Sequence, residues 1–582
     1  MREPIPTHDT TLPRRLADFG TLLEAIEYAA KGIRGLNFYS PRGELETSIS
    51  FKEIAKKSQE IGRRFIHFGI KKGSRVALIA ETNDEFVCYF IGCQYAGLLP
   101  VPLPLPTSFG GREGYTAQLN QQMKSCGARV AISASYMLPL LDEATSGLKK
   151  MKFVGTSDTF EAQASLKEIK NVALPEAHPE DLAYLQYSSG STRFPHGVAV
   201  THKSLLANCH GIGNEGMDLT EDDRVVSWLP FYHDMGLVGT LLAPIANQVT
   251  TDYLATEAFA RRPLQWLKLI SKNKGTLAYS PTFGYDICAR RASPTKIADL
   301  DLSSWRVAGI GGDMIRSDVL TNFQDTFKDV GFRHTTFVPS YGLAECTLAV
   351  SFARKNTGFE IDLIDEKVLT GEKKFLKEAK VNGNGVNYRN VVNCGIPIAE
   401  YELEIRDDNN IDLGEYQIGR VCVRGTSVMV GYFEDPEATD SCLSEDRWLD
   451  TGDMGYMKEG ALYIIGRVKD LIIINGKNHW PQDIEWAVEQ LDDLRSGDTA
   501  AVSIPGERDE EIPAILVQCR TRDAAERTAM ENKIKDTVHN MIGISPVVAL
   551  IPPRSLPRTS SGKLSRVKAR KQYLAGDLVF NS

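Results

Sequence analysis

The chain lacks the sulfur patterns by which small proteins bind metal or cross-link themselves. Its ten cysteines are scattered without C-x-x-C spacing, so neither a zinc site nor a disulfide framework is indicated and a reducing compartment is expected. Long apolar runs are missing too: no stretch is long enough to cross a bilayer. The opening MREPIPTHDTTLPRR puts charges and prolines where a signal peptide needs an apolar core. A cytoplasmic protein is therefore expected. Positive charge is in deficit, with a net −8 and a pI of 5.8, which argues against nucleic acid as a partner. The tail 552–573 is the local exception, with seven Lys or Arg and no acid. No internal repeat or low-complexity tract is visible.

What is present is the composition of a globular protein, spread over 582 residues. That length exceeds a single core and predicts several domains. Residues 20–31 and 51–69 have helical apolar spacing, while SRVALIA (74–80) and ARVAISA (128–134) suit buried strands. Strands alternating with helices to about residue 350 predict an α/β architecture with largely parallel sheets. The stretch 357–393 breaks this rhythm, being rich in Lys, Glu, Asn and Gly; it reads as a surface insertion with a short helix around 372–379, or as a flexible loop. Short alternating strands over 396–431 suggest a β-rich subdomain. After GRVKD (466–470) a last strand and helix pattern begins, so the expected division is 1–468 and 469–582.

One loop raises a chemical question. YSSGSTRFPHGV (187–198) follows the apolar LAYLQY (182–187) and precedes VAVTH (198–202), which should lead into a helix capped by Thr201. Small hydroxyl and Gly residues let backbone N–H groups converge on phosphate oxygens, yet such clusters are more often plain turns. The loop is not a Walker loop, and GIGG (309–312) lacks the G-x-G-x-x-G form. Its company matters more: WLPFYHDMGL (228–237), SYGLAECTLAV (340–350), WLDTGD (448–453), GRVKDLIIINGKNHWPQDIE (466–485) and PRTSSGKLSR (557–566) follow in order.

With these motifs in this order, the sequence resembles the adenylate-forming superfamily over nearly its whole length. The resemblance implies a large N-terminal domain of two stacked α/β subdomains plus a β-rich one, then a small mobile α+β C-terminal domain. It implies attack of a carboxylate on the α-phosphorus of ATP, a meeting of two anions that needs cations, a metal and strict positioning. By similarity Ser188, Ser189, Gly190, Ser191 and Thr192 hold the β and γ phosphates, and Thr192 with Glu345 places Mg²⁺, which prefers oxygen ligands. Read alone, Glu345 suits a helix cap and Thr192 a turn. Gly311, Gly312 and Asp313 resemble the segment against adenine, and Tyr341, between Ser340 and Gly342, the ring that stacks on it. Asp453 resembles the carboxylate that takes the ribose hydroxyls, with Arg467 in support. Lys563 occupies the place of the catalytic lysine and Lys469 that of the hinge between adenylation and transfer. His233 looks like the residue beside the carboxylate pocket, or else a core histidine bonded to Asp234. The family's loop continues Gly-Pro-Lys-Gly, whereas here Arg193 and His196 replace the Gly and the Lys; Arg193 is expected to serve the β or γ phosphate instead.

Within the superfamily, LQYSSGST, WLPFYHDMGL, YGLAECTLAV and NGKNHWPQDIE resemble fatty acyl-AMP ligases, which pass an acyl group from acyl-adenylate to an acyl carrier protein. Such ligases carry an insertion that restrains the C-terminal domain, and 357–393 is the candidate, with Phe375 and Leu376 as its anchors on the N-terminal domain. An apolar tunnel for the fatty acid is expected, walled by Trp228, Met235, Phe283, Tyr285 and Ala344, and each buried methylene is worth roughly 0.8 kcal/mol. The alternatives are an acyl-CoA synthetase with an unusual insertion and a catalytically weakened adenylate-binding protein that interacts with a carrier.

Overall fold

The computed structural model describes residues 3–106, 111–187, 196–372, 376, 388–474, 477–495, 497–506, 511–559 and 562–578. The apolar runs become sheet interiors. Leu99–Leu103, Arg75–Ile79, Val130–Ile132 and Phe153–Gly155 form an all-parallel sheet, whose central strands are buried on both faces, as such sheets require. A nine-stranded sheet lies alongside it. Its middle strands Thr250–Leu254, Arg224–Ser227, Leu277–Ser280, Val307–Ile310 and Phe337–Gly342 run parallel. Antiparallel strands close both of its edges.

Helices pack between these layers for reasons visible in their residues. Phe51–His67 starts at a capping box in which Ser50 and Glu53 satisfy each other's backbone N–H groups. It crosses helix Asp84–Tyr95 at two glycines: a Cβ at Gly92 would stand 2.7 Å from Ile61 Cγ2, and one at Gly62 would stand 2.9 Å from Tyr95 Cβ. Leu182–Tyr187 and Gly197–Thr201 pair as antiparallel strands, and Thr201 caps helix His202–Gly211 through the Ser204 N–H, as expected. The phosphate-loop residues Ser188, Ser189, Gly190, Ser191, Thr192 and Arg193 lie outside the described residues.

Past residue 400 the β-rich part is a four-stranded antiparallel sheet of Tyr401–Arg406, Gly419–Gly425, Leu449–Lys458 and Ala461–Arg467. The candidate insertion is based on a hairpin of Ile361–Asp365 with Tyr388–Val392, followed on its first arm by helix Glu366–Leu369. That helix precedes the one expected around 372–379, most of which, with Phe375, is outside the described residues. Leu376 packs on the cluster of Ile364, Tyr456 and Trp480, and its N–H donates to the Tyr416 carbonyl at 3.0 Å. The C-terminal part has its own core, built on Thr499–Pro505, Glu511–Gln518 and Val547–Ile551 with helices Pro481–Glu489, Ala524–Ile542 and Arg566–Leu574. Among the described residues no helix is long and apolar enough to cross a membrane.

Candidate active site

The parallel strands Val307–Ile310 and Phe337–Gly342 end side by side, with Ile310 paired to Pro339. Carboxyl ends of such strands are where α/β folds place ligands. At Gly311 the backbones are so close that a Cβ would stand 2.8 Å from Ser340 Oγ, and Gly312 turns the chain at φ +76, a conformation that glycine adopts without strain. Ser340 Oγ donates back to the Ile310 carbonyl at 3.1 Å. Asp313 accepts from the Met314 N–H at 2.8 Å. Together with Gly342 these residues form one wall of a cavity of about 670 Å³.

The adjoining corner belongs to the antiparallel sheet. Asp453 and Arg467 are cross-strand partners, with Arg467 Nε 3.2 Å from Asp453 Oδ1. The buried Tyr341 hydroxyl donates to Asp453 Oδ2 at 2.7 Å. Asp453 attracts the guanidinium and raises the Arg467 pKa, while burial, reinforced by Asp453, raises that of Tyr341. The adenine and ribose candidates thus meet in one hydrogen-bonded unit.

Opposite stands the FYHDMG segment. His233 Nδ1 lies 2.6 Å from Asp234 Oδ1, which also accepts from the Met235 N–H at 2.8 Å. Burial alone would raise the Asp234 pKa, but His233, the Lys563 ammonium and that N–H hold it below the ordinary value. His233 lines the cavity and contacts Asp234, and it is half-buried rather than a core histidine. Glu345 is half-buried; desolvation raises its pKa against the Tyr432 hydroxyl, which donates to it at 2.8 Å. A half-buried carboxylate on the cavity wall is a suitable oxygen ligand for a hard cation.

Lys563 reaches this site from the C-terminal part. It sits on a tight hairpin in which the Thr559 N–H donates to the Lys563 carbonyl at 2.7 Å and the Lys563 N–H to Thr559 Oγ1 at 3.2 Å. Its Nζ is 4.0 Å from the point where a Gly312 Cβ would stand. Lys469 is exposed on the turn Val468–Asp470 and lies off the cavity wall. His196 Nδ1 is 2.9 Å from Asp435 Oδ2, with its ring 4.8 Å from that of Tyr432.

Of the expected tunnel residues, Met235, Phe283 and Ala344 line the cavity. Two stand behind the wall instead. Tyr285 is fully buried and donates to the Gly309 carbonyl at 2.9 Å; two residues beyond Phe283 on one helix, it faces the opposite side. Trp228 stacks on Phe259 at 3.8 Å and meets Phe283 edge-on.

The sequence pointed to no role for Arg316, Arg389, Asp483, Trp486 or Glu489, which join the two parts of the chain. Arg316 pairs with Glu489 at 3.0 Å and Arg389 with Asp483 at 3.0 Å, and both guanidiniums lie over the Trp486 ring. Burial raises the Asp483 pKa to about 6 and lowers that of Arg389, so desolvation outweighs their attraction. Ion pairs between sequence-distant charges leave no local pattern to read.

Two family models match the chain: AMP-binding enzyme over residues 37–433 and AMP-binding enzyme C-terminal domain over 476–571. A putative acyl-CoA synthetase of Caulobacter vibrioides is 45% identical, covering 97% of this chain and 96% of that protein. The medium-chain-fatty-acid–[acyl-carrier-protein] ligase JamA of Moorena producens is 32% identical, covering 96% of each. A solved structure from work on fatty acyl-adenylate ligases of E. coli and L. pneumophila superposes with a TM-score of 0.91 at 43% identity, over 97% of this chain and 100% of that one. By these matches over nearly its full length, the chain belongs to the AMP-binding enzymes.

Proposed function

We propose that this protein uses ATP to convert a fatty acid to its acyl-adenylate, releasing pyrophosphate, and passes the acyl group to an acyl carrier protein. The observation that carries this reading is Lys563 on the same cavity as the Tyr341–Asp453–Arg467 corner and His233. Asp453 would take the ribose hydroxyls and Tyr341 would lie against adenine beside Gly311 and Gly312. A carboxylate oxygen of the fatty acid attacks the α-phosphorus as the bond to pyrophosphate breaks. Lys563 offsets the negative charge that gathers between the two anions. Thr192 and Glu345 would hold Mg²⁺, which supplies further charge neutralisation at the phosphates. The part of the cavity lined by Met235, Phe283 and Ala344 would take the alkyl chain. The engagement of His196 with Asp435 supports Arg193 as the cation for the β or γ phosphate.

We place the boundary between the lobes at the turn Val468–Asp470, with Lys469 as hinge, and read 357–393 as the restraint on rotation. The Asn478 N–H donates to the Thr370 carbonyl at 3.2 Å, Trp480 Nε1 to that of Leu369 at 3.3 Å, and Lys477 pairs with Glu372 at 2.7 Å. These contacts favour the carrier-dependent ligase over an acyl-CoA synthetase. The name of the Caulobacter relative keeps the synthetase as the second reading.

Pyrophosphate release from ATP and dodecanoate, with and without coenzyme A, separates the two. Acyl-adenylate as the sole product supports the ligase, an acyl-CoA thioester supports the synthetase, and no release overturns both. Arg193→Ala should weaken the ATP dependence of the reaction more than His196→Ala; the reverse order refutes the Arg193 assignment.

A further inference from the structure

The Lys563 hairpin is connected to the N-terminal lobe by an unbroken run of contacts. Arg316 stands three residues after Asp313, at the entrance to helix Ser317–Phe327. Its guanidinium is only 13% exposed; Nη1 lies 3.0 Å from Glu489 Oε2, while Nη2 lies 2.7 Å from Asp318 Oδ2. Glu489, 5% exposed at the end of helix Pro481–Glu489, uses its other oxygen to accept from the Gly497 N–H at 2.6 Å. The Gly497 carbonyl accepts from Arg558 Nη2 at 2.9 Å, and Arg558 Nη1 donates to the Gly562 carbonyl at 2.9 Å. Gly562 is bonded directly to Lys563.

Two features make this run more than packing. Each carboxylate and guanidinium in it spans two different segments, so the Lys563 hairpin takes its position from groups far away in sequence. Gly497 has φ +81, and a Cβ there would stand 2.6 Å from Arg558 Nη2, so a side chain would break the run at that point. All its members line the cavity of the proposed reaction, yet none is needed for a direct contact with the reacting atoms.

We propose that Arg316, Glu489, Gly497 and Arg558 form a positioning relay that brings Lys563 to the α-phosphate only when the C-terminal lobe sits on Arg316. They are positioning residues, and the proposal rests on the reading of Lys563 as the transition-state cation. Burying a charge pair is costly unless both partners are hydrogen-bonded, and the relay meets that condition only in this lobe arrangement. Once the lobe turns away, Glu489 leaves Arg316, and the hairpin, still held by Arg558 and Gly497 within its own lobe, is carried off the N-terminal lobe. The first half-reaction would thereby be switched off before acyl transfer.

The test is a double-mutant cycle on the full chain with ATP and dodecanoate. Single-turnover acyl-adenylate formation, the ATP Kd and thermal denaturation are measured for Glu489→Ala, Glu489→Gln, Lys563→Ala and the double variant Glu489→Ala with Lys563→Ala. Glu489→Ala should slow formation about 100-fold, as expected of an ångström-scale misplacement, with the ATP Kd changed less than about threefold. Glu489→Gln, which keeps an acceptor for the Gly497 N–H but loses the charge facing Arg316, should recover only part of the rate. In the Lys563→Ala background Glu489→Ala should have no further effect, because groups acting as one unit are non-additive. Equal losses in both backgrounds, or an unchanged rate in Glu489→Ala, overturn the relay. Should Glu489→Ala fail to fold, Arg558→Gln takes its place in the same cycle under the same criteria. A wild type that forms no acyl-adenylate overturns the functional reading, whereas an active wild type with additive variants overturns the relay alone.

Discussion

The nucleotide corner and the lysine hairpin share one cavity, yet they are held in opposite ways. Asp453, Arg467 and Tyr341 sit on strands whose ladders fix them, and their bonds to one another stay within the N-terminal lobe. Lys563 sits on a short hairpin in the other lobe and reaches the site through a sequence of contacts that crosses between lobes. On the proposed reading, recognition is built into the sheets, whereas the chemistry is conditional on how the lobes meet. Rigid strands suit a site that must keep its shape, and an interlobe contact suits a group that must come and go.

The contrast can be broken most forcefully at Trp480. It is 2% exposed and lies among Ile364, Leu369 and Tyr463, so Trp480→Ala should cost about 3–5 kcal/mol. The loss should fall on the seat of the C-terminal lobe, read as faster proteolysis between the lobes with the ATP Kd retained. Lys563→Ala should lower acyl-adenylate formation by roughly 10²–10³-fold, or about 2.7–4 kcal/mol, without loss of ATP affinity; stopped-flow pyrophosphate release and calorimetry would show the split. The N-terminal lobe has its own pH signature in His202, whose burial lowers its pKa to about 4 and whose Nδ1 accepts from the Leu22 N–H at 3.2 Å. Because the unfolded imidazole protonates near 6.5 and the folded one resists, stability is full above that pH and falls as pH drops toward 4. The loss approaches about 3 kcal/mol, and His202→Gln should flatten it in thermal denaturation at pH 7 and pH 4.5. The smallest effect sharpens the comparison: Asp453→Asn should weaken ATP binding by about 1.5–3 kcal/mol, the worth of hydrogen bonds to a charged group, while single-turnover adenylation at saturating ATP stays within a few-fold.

Much of the site was legible because it is built from short segments whose chemistry is local. The glycines at 311 and 312, the Asp453 turn and the Lys563 hairpin are each recognisable within a few residues, and each lines the cavity. Side-chain direction was not legible. Trp228 and Tyr285 were expected on the tunnel wall but stand behind it, since the direction of a side chain depends on what its segment packs against. The docking of Trp480 on the insertion and the pairing of Arg316 with Glu489 were equally hidden, as each joins residues more than a hundred positions apart.

By itself the sequence determined the strand and helix alternation, the order of the motifs and the chemical types brought to the site. Those depend on local periodicity, backbone freedom at glycine and the charge a residue carries wherever it lies. Tertiary structure alone decided that Lys563 meets the nucleotide corner, that two aromatic residues turn into the core, and that Glu489 is held at Arg316. These depend on burial and distance between segments remote along the chain, where desolvation makes the placement of a charge a property of the assembled lobes.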